Sequence, residues 1–118
     1  MTQESRLRVK RQNDITVVEF VDRNILDEAN IQAIGDEIAT LIDAEATPKM
    51  LISFSNVDHL SSAALGTLIT INNRVRHKNG QLRLSNIDPQ IYEVFVITRL
   101  NKLFQIFETS DEAIKSFA

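Results

Sequence analysis

The chain has 118 residues, of which 43% are hydrophobic and 25% charged, and it contains no cysteine. Its length suits a single domain over residues 1–118, and the lack of thiols excludes disulfides and thiolate metal sites, which fits a cytoplasmic location. A net charge of −3 argues against nucleic acid, and no apolar run reaches the roughly 20 residues of a membrane span, so we expect protein partners.

The first part of the chain predicts a β-hairpin followed by an amphipathic helix. Apolar and basic residues alternate over residues 6–10, as in a half-exposed edge strand, and the more apolar residues 15–21 predict its partner. Asp27 suits the N-cap of a helix, because apolar residues then recur at helical spacing. These apolar positions are Ile31, Ile34, Ile38, Leu41 and Ile42.

The middle of the chain predicts a buried strand, a polar loop and a second helix. Residues 50–54 form the strand, and the loop leads to the serine pair Ser61 and Ser62. Gly80 is expected to close the helix that follows. The predicted inner face of this helix carries Leu65, Leu68, Ile69, Asn72 and Val75.

The last part of the chain predicts two more strands, over residues 81–85 and 104–107, each followed by a helix. Asp88 is a plausible N-cap followed by proline, and Thr109 has the spacing of a capping box with Glu112. The third helix should cover Ile91, Val94, Phe95 and Thr98. Strands separated by single helices after a hairpin predict an α/β fold with about four helices and a mixed, mostly parallel sheet of about five strands.

The serine pair is the richest candidate site, because strand-to-helix loops gather functional groups at the carboxyl ends of parallel strands. A helix start presents unpaired N–H groups and the positive end of the helix dipole, which would accept a phosphoryl group. From the residues alone, however, Ser61 as an N-cap worth about 1 kcal/mol, with Ser62 a solvated neighbour, is the favoured interpretation.

Other chemistry is disfavoured, and we expect a protein that is not an enzyme and binds no cofactor or metal. Asp58 and His59 lie near the serines, but the sequence lacks the glycine-flanked elbow of a serine hydrolase. His59 and His77 are too isolated to predict a metal site. The three glycines are scattered, so no phosphate-binding loop is present.

The segment from Val57 to Ile69 resembles the signature of STAS domains, specifically the bacterial anti-sigma factor antagonists. In that family a core motif Asp-Ser-Ser-Gly-Leu-Gly opens a helix. When the Leu-Gly of this motif is aligned with Leu65 and Gly66 without gaps, the serine that accepts a phosphoryl group in the family corresponds to Ser62. Further similarities are Leu26-Asp27 after the second strand, and the Thr109 and Glu112-Ala113 that follow the last strand. The departures from the motif are Ser61, Ala63 and Ala64.

The resemblance implies a STAS-like domain that binds an anti-sigma factor with serine kinase activity. Phosphorylation of Ser62 would reverse the binding, a phosphatase would reset it, and ATP would belong to the kinase. The alternative is a STAS scaffold or sensory module that is never phosphorylated, in a larger signalling assembly. As oligomeric state we expect a monomer or weak dimer. The expected partner-binding residues are Asp27, Asn56, Asp58, His59, Ser61 and Ser62.

Overall fold

The computed structural model describes residues 7–117, which form a mixed β-sheet with helices on both faces. The elements in chain order are β1 (Leu7–Gln12), β2 (Ile15–Phe20), β3 (Asn24–Ile25), α1 (Glu28–Asp43), β4 (Lys49–Ser53), β5 (His59–Leu60), α2 (Ser62–His77), β6 (Gln81–Ser85), α3 (Pro89–Ile97), a 3₁₀ turn (Leu100–Lys102), β7 (Gln105–Phe107) and α4 (Ser110–Lys115).

The five-stranded sheet has the order β1-β2-β4-β6-β7. The hairpin strands β1 and β2 are antiparallel, and every other neighbouring pair is parallel. The larger core lies on the face covered by α1, α2 and α3, whereas α4 covers a smaller core on the opposite face. The predicted α/β class, the initial hairpin and the four helices are therefore confirmed. No helix among the described residues has the length and apolar character needed to cross a membrane.

Three predicted helix caps are confirmed. Asp27 accepts a hydrogen bond from the backbone N–H of Ala29 at 2.8 Å and begins α1. Asp88 caps α3 in the same way, and the Thr109 hydroxyl accepts from the N–H of residue 112 at the start of α4. On α1, the four isoleucines predicted to face the core are buried, and Leu41 is packed against them in a partly buried position.

The predicted inner faces of α2 and α3 need correction. On α2, Ile69 is partly buried and packed against the core as predicted, and Ile71, which was not predicted, is buried there. On α3, Val94 is exposed, and Thr98 lies beyond the helix as its C-cap. The physical reason for the differences on α3 is that this helix has only nine residues and packs against the core along one narrow side, which carries Ile91 and Phe95. The strand ends also shift, because β2 stops at Phe20 and residues 54 and 104 lie just outside their strands.

The role predicted for Gly80 is also corrected. The left-handed residue that ends α2 is Asn79, with φ of 58°, and no described glycine has a positive φ. The N–H groups of Asn79 and Gly80 bond back to Arg76 and Val75, as in a Schellman motif. Gly80 is needed for close packing instead, because a Cβ there would lie 2.3 Å from the carbonyl oxygen of Pro48.

Arg83 lies on the sheet face that α4 covers. It is only 9% exposed, its Nε donates to the Ser116 hydroxyl at 2.9 Å, and its guanidinium lies 4.9 Å from the centre of the Phe117 ring. Burial lowers the pKa of Arg83 by penalising its charged form. Arg83 therefore anchors the C-terminal segment to the sheet.

Candidate functional site

The starts of α1 and α2 are held side by side by two short strands that the sequence analysis missed. β3 and β5 pair in parallel, and the backbone N–H of Ser61 extends the pairing to the carbonyl of Ile25 at 3.1 Å. Each strand has two residues, which is too short for an alternating pattern to be recognised. The pairing brings the loops after β2 and β4 together at one edge of the sheet.

The two serines have different environments. Ser61 is the N-cap of α2, and its Oγ accepts a hydrogen bond from the N–H of Ala64 at 3.2 Å, which confirms the capping prediction. Ser62 is the first helical residue and is exposed. Among the residues that the structure describes, its hydroxyl has no hydrogen-bond partner. Ser61 therefore has a structural role as the helix cap, whereas the Ser62 hydroxyl is available to react or to bind.

The other predicted docking residues lie around this helix start, and several of them support the loop. Asn56 donates from Nδ2 to the carbonyl of Phe20 at 3.3 Å. Asp58 accepts from the guanidinium of Arg23 at 2.9 Å, and its backbone N–H donates to the carbonyl of the same arginine at 2.7 Å. His59 is exposed on β5. These contacts hold the loop in one conformation and leave its outer surface open.

A groove of about 370 Å³ runs between α1 and α2 and begins at Ala63, the residue that follows Ser62. The helices approach closely at Gly35, where a Cβ would lie 3.0 Å from Cγ2 of Thr67. The far end is closed by Arg74, which donates two hydrogen bonds to Asp43 at 3.0 and 2.7 Å. This ion pair lowers the pKa of Asp43 and raises that of Arg74. The isolated glycine in α1 was the available sequence signal for this groove.

The surface beside Ser62 includes exposed apolar and small residues. Leu26, between β3 and the Asp27 cap, is 55% exposed although it is a large hydrophobic residue. One turn along α2 from Ser62, Gly66 is exposed, and a Cβ built there would meet nothing within 4 Å. Leu26 was noted only for the family resemblance, and its exposure now adds it to the candidate docking surface.

Asp58 and the two histidines do not come together as a hydrolytic or metal site in the part of the chain that the structure describes. Asp58 bonds to Arg23, so it does not form an acid–base pair with His59. His59 precedes α2 and His77 ends it, which separates them by about 24 Å along the helix. Within residues 7–117, no group of three potential metal ligands is present.

The mixed sheet and the paired helix starts, with an exposed serine on one of them, define a STAS-like α/β fold. A family model for the STAS domain matches residues 6–113, and the chain therefore belongs to the STAS domain family. The chain is 23% identical over 95 residues to BtrV of Bordetella bronchiseptica, which is named as an anti-sigma factor antagonist. That match covers 80% of this chain and 81% of BtrV.

The solved structures that share this fold include the following two. An anti-sigma-factor antagonist (STAS) domain protein from Planctomyces limnophilus has a TM-score of 0.85 at 22% identity, covering 93% of this chain and 96% of the other. The phosphorylated form of the Bacillus cell fate determinant SpoIIAA has a TM-score of 0.70 at 20% identity, covering 92% and 96%. At these identities the likeness establishes the shared fold.

Proposed function

We propose that this protein is a cytoplasmic, non-catalytic anti-sigma factor antagonist, which binds an anti-sigma factor with serine kinase activity and is regulated by phosphorylation of Ser62. The main observation that supports the proposal is that the two serines have different roles. Ser61 caps α2, and Ser62 presents a free, exposed hydroxyl at the same helix start. The names of BtrV and of the Planctomyces domain protein support the same function.

The docking surface comprises the helix start and the loops beside it. Leu26 supplies exposed apolar area, and the small residues Ala63 and Gly66 let a partner approach the helix backbone. The polar residues have two roles. Asn56 and Asp58 hold the loop through hydrogen bonds, and His59 and Ser62 are exposed at its edge. The proposed set is Leu26, Asp27, Asn56, Asp58, His59, Ser61 and Ser62.

Phosphorylation would change this surface without unfolding it. In the kinase complex, the Ser62 oxygen attacks the γ-phosphorus of ATP, a base of the kinase takes the hydroxyl proton, and ADP leaves. The product carries about −1.5 to −2 charges, which the N–H groups and positive dipole of the α2 start stabilise. Docking must then desolvate this charge on a surface that includes the exposed apolar side chain of Leu26, so partner affinity falls. A phosphatase would restore the hydroxyl by hydrolysis.

The test mixes each serine variant with partners captured from a native lysate and adds ATP. Partner binding and phosphorylation are then measured for each variant. Ser62→Ala should retain partner binding but take no phosphate, and Ser62→Asp should bind more weakly. Ser61→Ala serves as the matched control and should still be phosphorylated. Peptide mass mapping locates the modification. Undiminished phosphoryl transfer to Ser62→Ala would reject Ser62 as the acceptor.

The alternative function is a STAS scaffold or sensory module that is not phosphorylated. The motif departures at Ser61, Ala63 and Ala64 favour it. The same experiment separates the two functions. A protein that is captured in a large complex, and that takes no phosphate at any residue when ATP is added, is a scaffold and not the proposed switch.

A further inference from the structure

The two walls of the groove between α1 and α2 offer mainly negative charge and hydrogen-bond acceptors. The α1 wall carries Glu28 and Asp36, and neither carboxylate forms an ion pair within residues 7–117. The α2 wall carries Thr67 and Thr70, whose hydroxyls donate to carbonyls of their own helix at 3.2 Å each. The hydroxyl protons are therefore used within the helix, and only the lone pairs of these oxygens are left for a ligand.

The cation at the far end of the groove is already neutralised. Arg74 lines the groove, but its guanidinium donates two hydrogen bonds to the carboxylate of Asp43. Its positive charge therefore does not cancel the charges of Glu28 and Asp36, which attract cations to the groove. A ligand that matches these walls is positively charged and carries N–H donors.

The groove is long and narrow. Its α1 wall runs from residue 28 to residue 39 and its α2 wall from 63 to 74, which is about 17 Å at the helical rise. Over that length, a volume of about 370 Å³ gives a mean cross-section of about 22 Å². A helix, with a diameter of about 10 Å, does not fit within such a space, whereas an extended aliphatic chain does. The dimensions therefore favour a small linear molecule over a helix of a protein partner.

The floor of the groove is apolar and thin. Ile31, Thr67 and Ile71 line the groove and also line a small apolar gap of about 20 Å³ in the core beneath it. Methylene groups of a ligand would lie on this floor. Because the packing leaves free space directly under the floor, its side chains have room to adjust to a ligand.

We propose that this groove binds a linear aliphatic polyamine, in which ammonium groups are separated by methylene chains. One ammonium binds the carboxylate of Glu28, another binds that of Asp36, and the methylene groups lie over Ile31 and Ile71. The two acidic residues are eight positions apart, which is about 12 Å along α1. The terminal nitrogens of extended spermidine are about 11 Å apart, so one molecule reaches both carboxylates. Ser62 does not line this site, and the proposal does not depend on the proposed function.

Isothermal titration calorimetry on the full chain at low ionic strength tests this site, with spermidine as the probe. The wild-type protein should bind one spermidine per chain with a dissociation constant of about 1 mM or lower. Glu28→Gln and Asp36→Asn should each raise this constant by about threefold to fivefold, because each removes one exposed ion pair. The matched control is Glu93→Gln, which removes the same charge from an exposed position on α3, outside the groove. This control should bind spermidine like the wild type.

Two further measurements separate the groove from a general attraction between a cation and an acidic protein. Thr70→Phe keeps both carboxylates but fills the groove, so it should raise the dissociation constant by about tenfold. The diamines 1,8-diaminooctane and putrescine carry the same charge, but their nitrogens are about 11 Å and about 6 Å apart. Only the longer diamine reaches both carboxylates, so it should bind about fivefold more tightly than putrescine.

Circular dichroism checks the folding of each variant, and the two charge variants keep the test valid if Thr70→Phe does not fold. The site is refuted if the wild-type protein shows no saturable binding, or if Glu28→Gln and Asp36→Asn both bind like the wild type. A folded Thr70→Phe that binds spermidine undiminished would also refute it. An equal loss of affinity in Glu93→Gln would show that the attraction is general and not confined to the groove.

Discussion

The N-terminal end of α2 allows the structural and regulatory roles of the two serines to be separated. Replacing Ser61 by alanine removes the oxygen that accepts from the N–H of Ala64 at 3.2 Å, in a partly buried position. Loss of an N-cap costs about 1 kcal/mol. For a domain of this size, that loss corresponds to a fall in melting temperature of about 4 °C.

The companion substitution, Ser62→Ala, should leave stability nearly unchanged. Ser62 is exposed and its hydroxyl has no partner among the described residues, so the expected change in unfolding free energy is within about 0.5 kcal/mol. Ser61→Asp should recover the loss of Ser61→Ala, because aspartate is an equally good cap and its charge favours the positive end of the helix.

Urea denaturation followed by circular dichroism measures these differences. With a slope of about 1.5 kcal/mol/M, the Ser61→Ala midpoint should fall by about 0.7 M, and the slope should stay the same. Equal midpoints for the two alanine variants, or a larger loss for Ser62→Ala, would contradict the assignment of Ser61 as the cap.

Three further predictions concern packing and charge. Gly80→Ala should lower the unfolding free energy by about 2 kcal/mol, because its Cβ meets a backbone oxygen at 2.3 Å. Gly66→Ala should raise the unfolding free energy by about 1 kcal/mol, because its Cβ meets nothing and alanine favours the helix. A urea midpoint that is higher for Gly80→Ala than for Gly66→Ala would contradict both predictions. Arg83→Lys should lose about 1–2 kcal/mol, since an ammonium cannot both bond Ser116 and stack on Phe117, and an unchanged urea midpoint would argue against that role. The pKa of Asp43 lies below its ordinary value of 3.8 in the fold, so the ion pair stabilises the protein above that pH and its contribution is lost as pH falls through the folded-state pKa. The stability difference between wild type and Asp43→Asn should shrink in acid, and a difference that grows instead would refute this sign.

Much of the fold could be predicted from local patterns. The isoleucines of α1 recur at helical spacing, apolar and basic residues alternate along β1, and β2 is a short, mostly apolar run, so these patterns predicted both kinds of element. The caps Asp27, Asp88 and Thr109 were predictable because their hydrogen bonds connect residues two or three positions apart. The choice of Ser62 as phosphoacceptor rests on the family resemblance and stays a prediction.

Other features depend on contacts between residues distant in sequence. β3 and β5 each have two residues, and they become strands only because they lie beside each other. The need for glycine at position 80 comes from Pro48, and the burial of Arg83 comes from the C-terminal segment around α4. Val94 matched the helical period of the core but is exposed, because α3 is short and turns a narrow face to the sheet.

The sequence by itself therefore determined the class of fold, the order of the four helices and the five main-sheet strands, and Ser61 as the cap of the helix with Ser62 beside it, because these follow from short-range patterns and capping. Only the tertiary structure decided how the starts of α1 and α2 are joined by β3 and β5, and which face of α3 remains uncovered. The physical reason is that burial and pairing depend on which distant segments pack together, and such contacts leave no regular spacing in the chain.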